Sequence, residues 1–315
     1  MGKVIAVINQ KGGVGKTTTT VNLASSLSLA EKKILVIDFD PQGNCTSAFG
    51  VTAEKIQEKG TIYQALIGQM EMADLTQETE LDFLKVVPAD PNLSGAEIEL
   101  VSAMARESKL RNALEPIRND YDYIFIDSPP SLGLLTLNAL SAADSYVVPL
   151  QCEYFALEGL TQLMNTTALI QQNLNTRLKL EGILLTMVDK RNKLSREIDL
   201  DVRAHFRDAV FTTTIPRNVR LSECSSFGKP IVLYDIDSKG CVAYLNLAKE
   251  FLGRNGQAEM ISMAEAQEAA DELEASAHEY QEEETPAPEL PSGGPGLSRN
   301  PAQPPPAPPQ IRQNH

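Results

Sequence analysis

Short runs of consecutive apolar residues, rich in β-branched side chains, recur along the first 250 residues of the chain. Such runs are typical of strands that are buried on both faces of a parallel sheet. Three of them end in an aspartate, a residue type common in turns. They predict strands at residues 4–8, 33–38, 81–87, 121–127, 145–150, 180–189 and 231–234.

Segments between these runs carry apolar residues at helical spacing, three or four positions apart. Strands that alternate with helices favour an open parallel sheet with helices packed on both of its faces. We therefore predict an α/β fold, a doubly wound and mostly parallel twisted sheet. The predicted helices cover residues 19–29, 61–67, 96–117, 153–174 and 240–252.

The glycine-rich stretch KGGVGKTT lies between the first predicted strand and the first predicted helix. Glycines there let the backbone curl, so that its N–H groups approach phosphate oxygens at the positive end of the helix dipole. Lys16 would supply a charge for the β- and γ-phosphates, and the Thr17 hydroxyl would bind Mg²⁺. The alternative is a glycine-rich turn without a ligand. The predicted nucleotide-binding loop consists of Lys11, Gly12, Gly13, Val14, Gly15, Lys16, Thr17 and Thr18.

This loop departs from the common G-x-x-x-x-G-K-[ST] pattern, because Gln10 stands where the first glycine would be and Lys11 is added. A lysine has no role in a tight turn, so it could reach a phosphate in its own site or in a second subunit. K-G-G-x-G-K-T-T resembles the deviant Walker A motif of the ParA/MinD family of ATPases. The resemblance implies a P-loop ATPase domain, an ATP-bound homodimer with Lys11 crossing the interface, and catalytic roles for Lys11 and Lys16.

Carboxylates follow two predicted strands, at the edge of a parallel sheet where ligands bind. Asp38 and Asp40 end the second strand, and Asp127 ends the run 121–127. An Asp-, Pro- and Gly-rich turn without chemistry is the alternative at residues 38–44. The sequence DFDPQGN is similar to the family's second signature, which implies that Asp40 prepares the attacking water. DSPPSLG resembles the third motif, and the metal ligands are then Thr17, Asp38 and Asp127.

The segment 185–229 carries nine basic and six acidic residues within a chain of formal charge −14. This local excess suggests an anionic partner, although a solvated, mixed-charge helix face is an equally good interpretation of any one residue. The pattern TMVDKR…IPRNVRLSE…GKPI resembles Soj-like members of the family. The resemblance implies DNA binding without sequence preference by Arg191 and Arg220. It also implies that Met187, Asp189, Pro216 and Arg217 frame the adenine, although Arg217 could serve base, DNA or neither.

Composition changes near residue 255, which divides a predicted ATPase domain (1–254) from a tail (255–315). The tail holds 11 Asp/Glu and 2 Lys/Arg and becomes Pro-rich after residue 285. We expect it to be largely disordered, as either a partner-binding arm or a solubilising extension. Its acidity opposes membrane binding of the kind that a basic amphipathic helix provides. Scattered cysteines and the absence of a signal peptide or long apolar run predict a cytoplasmic protein.

These features together predict a partition ATPase for a chromosome or plasmid. The family resemblance implies ATP and Mg²⁺, non-specific double-stranded DNA on the nucleoid, and a ParB-like adaptor that stimulates slow hydrolysis. A relative that positions another cargo, or a MinD-like division-site regulator, is the alternative. An electron-transfer ATPase like the nitrogenase iron protein would need paired cysteines from two subunits around a cluster. Only Cys152 lies near a plausible interface.

Overall fold

A computed structural model describes residues 2–153, 156–189 and 191–256. Its strands coincide with six of the seven predicted apolar runs, and a two-residue strand is added at an edge. The run 81–87 is strand only over its second half, because the chain turns at its start. The strands are β1 (Lys3–Val7), β2 (Ile34–Asp38), β3 (Gln77–Glu78), β4 (Leu84–Val87), β5 (Tyr123–Asp127), β6 (Ser145–Gln151) and β7 (Lys179–Thr186).

These strands form one sheet in the order β3-β4-β2-β5-β1-β6-β7. All neighbouring pairs are parallel except β3 with β4. Strand β1 lies between β5 and β6, so the loop that follows it opens near the centre of the carboxyl edge. The prediction of a doubly wound, mostly parallel α/β fold is confirmed.

Helices cover both faces of the sheet and define two hydrophobic cores. Alternate residues of β1 face opposite cores, with Val4 and Ala6 in one and Ile5 and Val7 in the other, as the two-residue period of a strand requires. The helices are α1 (Lys16–Ser28), α2 (Asn44–Ala48), α3 (Ala53–Lys59), α4 (Ile62–Leu66), α5 (Met72–Leu75), α6 (Leu93–Glu99), α7 (Lys109–Leu114), α8 (Leu134–Ala142), α9 (Ala156–Asn173), α10 (Lys193–Phe206), α11 (Arg220–Glu223), α12 (Ile231–Tyr234) and α13 (Lys239–Arg254).

The predicted strand at 231–234 is wrong, because these residues form the short helix α12. Pro230 precedes it with φ −59°, a value that suits a helix start. The first free amide of the helix, that of Ile231, donates to Asn22 Oδ1 at 2.7 Å. This tertiary hydrogen bond to α1 outweighs the β-propensity of an Ile-Val-Leu-Tyr run.

A polar cluster lies at the amino edge of the sheet, opposite the loop after β1. Glu181 of β7 forms an ion pair with Lys3 and accepts a hydrogen bond from Asn255 Nδ2 at 2.8 Å. Lys3 Nζ also donates to Asn255 Oδ1 at 2.5 Å. Burial alone would raise the pKa of Glu181, but these donors lower it below its ordinary value. The cluster joins the first strand of the sheet to the end of α13.

No helix in the part of the chain that the structure describes is long and apolar enough to span a bilayer. The last helix described, α13, ends at Arg254. The predicted tail, with its acidic and Pro-rich parts, lies outside the described residues apart from Asn255 and Gly256.

Candidate active site

The glycine-rich loop forms an open cradle between β1 and α1. Gly13 and Gly15 have φ of 73° and 90°, left-handed values that a side chain would strain. A Cβ placed on Gly12 or Gly13 would meet no atom within 4 Å, so the loop faces free space there. The amides of Gly13, Val14 and Gly15 have no hydrogen-bond acceptor within the described part of the chain. Such unpaired donors at a helix N-terminus fit an anion such as phosphate.

Lys16 opens helix α1 and turns its ammonium group into the site. The residue is only 8% exposed, and its Nζ donates to the Lys11 carbonyl at 3.3 Å. Burial lowers the pKa of Lys16, and the nearby carboxylates of Asp127 and Asp40 oppose that change. A desolvated cation interacts strongly with an incoming anion, because little water screens it.

Two aspartates meet side by side at the carboxyl ends of neighbouring strands. Asp38 of β2 is opposite Asp127 of β5 in the parallel register, and both are fully buried. Burial is the main cause that raises the pKa of each; the charge of Asp38 raises the pKa of Asp127 further, and the charge of Asp40 raises that of Asp38. The Thr17 hydroxyl donates to Asp127 Oδ2 at 2.7 Å, which brings the three predicted metal ligands together across β2, β5 and α1.

This set fits Mg²⁺, which prefers oxygen ligands and usually completes its shell with water and substrate phosphates. Within residues 2–153, 156–189 and 191–256, no group of three or more His, Cys, Asp or Glu side chains could hold a metal alone. A site with two carboxylates and one hydroxyl is therefore suited to a metal that arrives with a nucleotide.

Asp40 lies just beyond β2, on the loop that follows Asp38. Its amide donates to Asp38 Oδ1 at 3.2 Å, and its own Oδ1 accepts from the Gln42 amide at 3.0 Å. The residue is 8% exposed and close enough to Lys16 to affect its pKa. One carboxylate oxygen thus fixes the side chain, while the other has no partner in the described residues and is available to orient a water molecule.

A cavity of about 230 Å³ opens beside the loop. Three of the residues predicted to frame the adenine, Met187, Pro216 and Arg217, line it together with Gly15 and Thr18 of the loop. The segment after β7 is joined to the 215–217 loop, since the Val188 amide donates to the Ile215 carbonyl at 3.0 Å. Thr186 and Ile215, which begin the two segments predicted to frame the adenine, also line it, and the wall is completed by Asn218, Leu221, Ser222, Ser225 and Tyr244.

Asp189 does not line this cavity. Its carboxylate accepts two hydrogen bonds from the Arg191 guanidinium, at 3.0 and 2.9 Å, which hold the pKa of Asp189 down to about 2. Arg191 itself is 90% exposed. The predicted adenine contact and the predicted DNA contact are thus ion-pair partners at the surface.

The other predicted DNA-binding residue, Arg220, begins helix α11 and is also paired. Its guanidinium contacts Glu223 Oε2 and Asp235 Oδ2, each at 3.1 Å, and its side chain is 55% exposed. Both arginines are therefore accessible and preoriented by carboxylates, and an anionic partner must replace those contacts.

Lys11 is the residue that departs from the common loop pattern. It forms an ion pair with Glu153, and both side chains are about half exposed. The Lys11 amide donates to Asn9 Oδ1 at 3.0 Å. Within the described residues the Lys11 ammonium group pairs with Glu153 and makes no hydrogen bond to the atoms of the phosphate cradle.

Three residues that the sequence did not reveal support the site. Thr46 of α2 holds Asp38 Oδ2 with its amide and its hydroxyl, both at 2.7 Å. Thr20 donates to Asp127 Oδ1 at 3.0 Å from the same helix face as Thr17. For Thr20 the signal was available, since it lies three residues after Thr17 on a helix, whereas Glu153 and Thr46 carry no pattern.

Comparison with known proteins identifies chains that are similar to this one. The AAA domain family matches residues 2–180. Chromosome partitioning protein ParA of Myxococcus xanthus is 56% identical over 255 residues, or 81% of this chain and 89% of that protein. Sporulation initiation inhibitor protein Soj of Bacillus subtilis is 54% identical over 79% of this chain and 98% of its own. Among solved structures, cobyrinic acid a,c-diamide synthase of Mycobacterium smegmatis with ADP and magnesium aligns with TM-score 0.69 at 37% identity, covering 79% and 93% of the two chains.

Proposed function

The chain belongs to the ParA/Soj family of chromosome-partitioning ATPases, and we propose that it is an ATP-driven, DNA-binding dimer that positions DNA in the cell. The observation that carries the proposal is the meeting of Lys16, Asp40 and Asp127 around an open phosphate cradle. The synthase-like structure shares less identity, 37%, than the ParA and Soj relatives, 56% and 54%, which favours partition over synthesis.

ATP is the substrate, with its phosphates bound by the amides of the loop and by Lys16. Thr17, Asp38 and Asp127 would hold Mg²⁺, which when bound offsets the charge of the β- and γ-phosphates. Met187, Pro216 and Arg217 would enclose the adenine in the adjoining cavity. Asp189 has no part in enclosing the adenine, because it does not line this cavity and its carboxylate is paired with Arg191.

Hydrolysis requires a water molecule in line with the γ-phosphate. Asp40 orients that water through its free carboxylate oxygen, while Lys16 stabilises the charge that develops on the phosphoryl oxygens. Lys16 is effective because it is buried. Positioning and electrostatics of this kind supply most of phosphoryl-transfer catalysis.

Dimerisation brings Lys11 of each subunit to the nucleotide of the other. In the single chain Lys11 is held by Glu153, so closure exchanges one exposed ion pair for contact with a phosphate. Exposed ion pairs contribute little because water screens them, so this exchange favours the dimer. Because the site in each single subunit is then incomplete, turnover would be slow before pairing.

The dimer binds double-stranded DNA of any sequence through Arg191 and Arg220 and is released when ATP is hydrolysed. A ParB-like adaptor would stimulate that step, and the protein would be cytoplasmic and associated with the nucleoid. The adaptor decides whether the cargo is a chromosome, a plasmid or another assembly.

The test is DNA binding and molecular mass measured without nucleotide, with ADP and with ATP, using wild type and Asp40→Ala. We expect Asp40→Ala with ATP to remain a dimer and to bind two unrelated duplexes equally, because it binds ATP but cannot orient water. Asp82→Ala, which changes an exposed aspartate before β4, should behave as wild type. Monomeric Asp40→Ala in ATP would contradict the catalytic role, and DNA binding that is independent of nucleotide would contradict the cycle.

A further inference from the structure

A surface groove of about 640 Å³ runs along one side of α13. Lys239, Val242, Asn246 and Lys249 lie three or four residues apart and form its helical wall. The facing wall is the segment 212–216. Glu250 joins the two walls, because its carboxylate accepts the amides of Thr212 and Thr213 at 2.7 and 2.8 Å.

The groove has an apolar floor between basic ends. Pro216, Val242 and Ala243 supply the apolar surface. Lys239 and Lys249 are both exposed, are about 15 Å apart along the helix, and form no ion pair within the described residues. Two unpaired cations above an apolar strip favour an acidic segment with interspersed apolar side chains.

The chain that follows α13 has this composition. Residues 257–275 contain six acidic residues and no Lys or Arg. Met260, Ile261, Met263 and Leu273 are interspersed among them. We propose that residues 257–275 bind in this groove of their own subunit, antiparallel to α13, with acidic side chains on Lys239 and Lys249.

The segment 257–275 is long enough, and begins close enough, to run back along α13 to Lys239. Helix α13 ends at Arg254, and Asn255 is held at the amino edge of the sheet by Lys3 and Glu181. From there to Lys239 is the length of a 16-residue helix, about 24 Å. Nineteen residues span about 28 Å even as a helix and more when extended. Being tethered, the segment acts at a high effective concentration, which compensates for a weak site.

Occupation of the groove would compete with DNA, an extension that rests on the proposed function. Lys239 adjoins Gly240, whose position is in contact with Leu221, the neighbour of Arg220. The acidic segment would therefore place its charge beside a proposed DNA contact and screen it. The segment becomes an internal inhibitor that DNA must displace.

Zero-length carbodiimide cross-linking of the full-length protein, followed by mass spectrometry, tests the docking. We expect amide links between the acidic residues of 257–275 and Lys239 or Lys249, several-fold more abundant than links to the exposed Lys55 and Lys59 of α3. High salt should remove the preference, because the Debye length falls to about 3 Å at 1 M. Mixing isotopically labelled and unlabelled protein separates links within one chain from links between copies.

Hydrogen exchange gives a second measurement. Amides of 257–275 should exchange faster in Lys239→Gln/Lys249→Gln than in wild type, and Lys55→Gln/Lys59→Gln should leave them unchanged. The proposal would be overturned if the cross-links were spread evenly over surface lysines or formed only between copies. It would also be overturned if the exchange rates of 257–275 were the same in wild type and in Lys239→Gln/Lys249→Gln.

DNA binding distinguishes this inference from the proposed function. Full-length protein with the six acidic residues changed to Gln or Asn should bind DNA several-fold more tightly than wild type. If cross-links form but neither protein binds DNA, docking stands and the proposed function fails. If both bind DNA equally and the selective cross-links are absent, docking fails and the proposed function stands.

Discussion

Replacing the two surface arginines, Arg191→Ala with Arg220→Ala, should change how DNA affinity depends on salt. Each arginine that neutralises a phosphate releases condensed counterions, which contributes a slope of about −0.9 to log K against log[salt]. Two arginines in each of two subunits make four contacts, so the variant's slope should be shallower by about 3.6. Between 50 and 200 mM salt, the wild type should lose roughly 100-fold more affinity than the variant.

The geometry supports full engagement of both arginines. Arg191 is 90% exposed, and the side chain of Arg220 is 55% exposed. Their present partners are partly exposed carboxylates, and water screens such surface pairs, so that DNA phosphates can replace them at modest cost. Fluorescence anisotropy with two unrelated duplexes, a non-hydrolysable ATP analogue and a salt series measures the slope.

A matched control removes the same charge elsewhere. Lys33→Ala with Lys179→Ala changes two exposed lysines at the amino ends of β2 and β7, far along the strands from the carboxyl edge. This variant should retain the wild-type slope. An unchanged slope in the arginine variant, or an equal change in the lysine control, would refute the assignment of the DNA surface. A change near 1.8 would mean that only two of the four proposed contacts form.

Three further changes test the site and the fold. Lys16→Ala should abolish binding of a fluorescent ATP analogue, because it removes the buried cation of the cradle; retained affinity would contradict the assignment. Glu181→Gln should destabilise the protein at pH 7, because the pKa of Glu181 is lower in the folded protein than its ordinary value of 4.5. Such a group stabilises the fold above its ordinary pKa and loses that contribution as the pH falls. The difference in urea midpoint between wild type and variant should therefore shrink below pH 4.5. Gly182→Ala should lower the free energy of unfolding in urea by about 1–3 kcal/mol, since the added Cβ would lie 2.5 Å from the Phe211 ring. The control Gly159→Ala should not lower it, because a Cβ there would meet no atom within 4 Å.

Most strands of the sheet can be predicted from the sequence, because buried parallel strands are local runs of apolar residues. The sequence also predicts that Asp38 and Asp127 lie at the same edge of the sheet, since the carboxyl ends of parallel strands share one edge. Their direct opposition required the strand order, which no local pattern contains. The helix at 231–234 was missed because the hydrogen bond that fixes it comes from Asn22, 209 residues away.

Site residues that act through other residues were the hardest to predict. Thr46 supports Asp38, and Glu153 holds Lys11, yet each is one ordinary polar residue in a helix or loop. Their roles depend on distances between segments separated by up to 142 residues. Resemblance to a family supplied the roles of Lys11 and Asp40, which composition and spacing alone left open.

The contact between Lys3 and Asn255 places the two ends of the described body next to each other, on the edge of the sheet remote from the phosphate cradle. Chain ends that lie this close permit circular permutation, in which a short linker joins them and new termini are opened in a surface loop. A cut near the exposed Gln69 and Met70, between α4 and α5, would leave every candidate site residue on an uninterrupted segment. The order of segments along the chain could thus be changed while the architecture is retained.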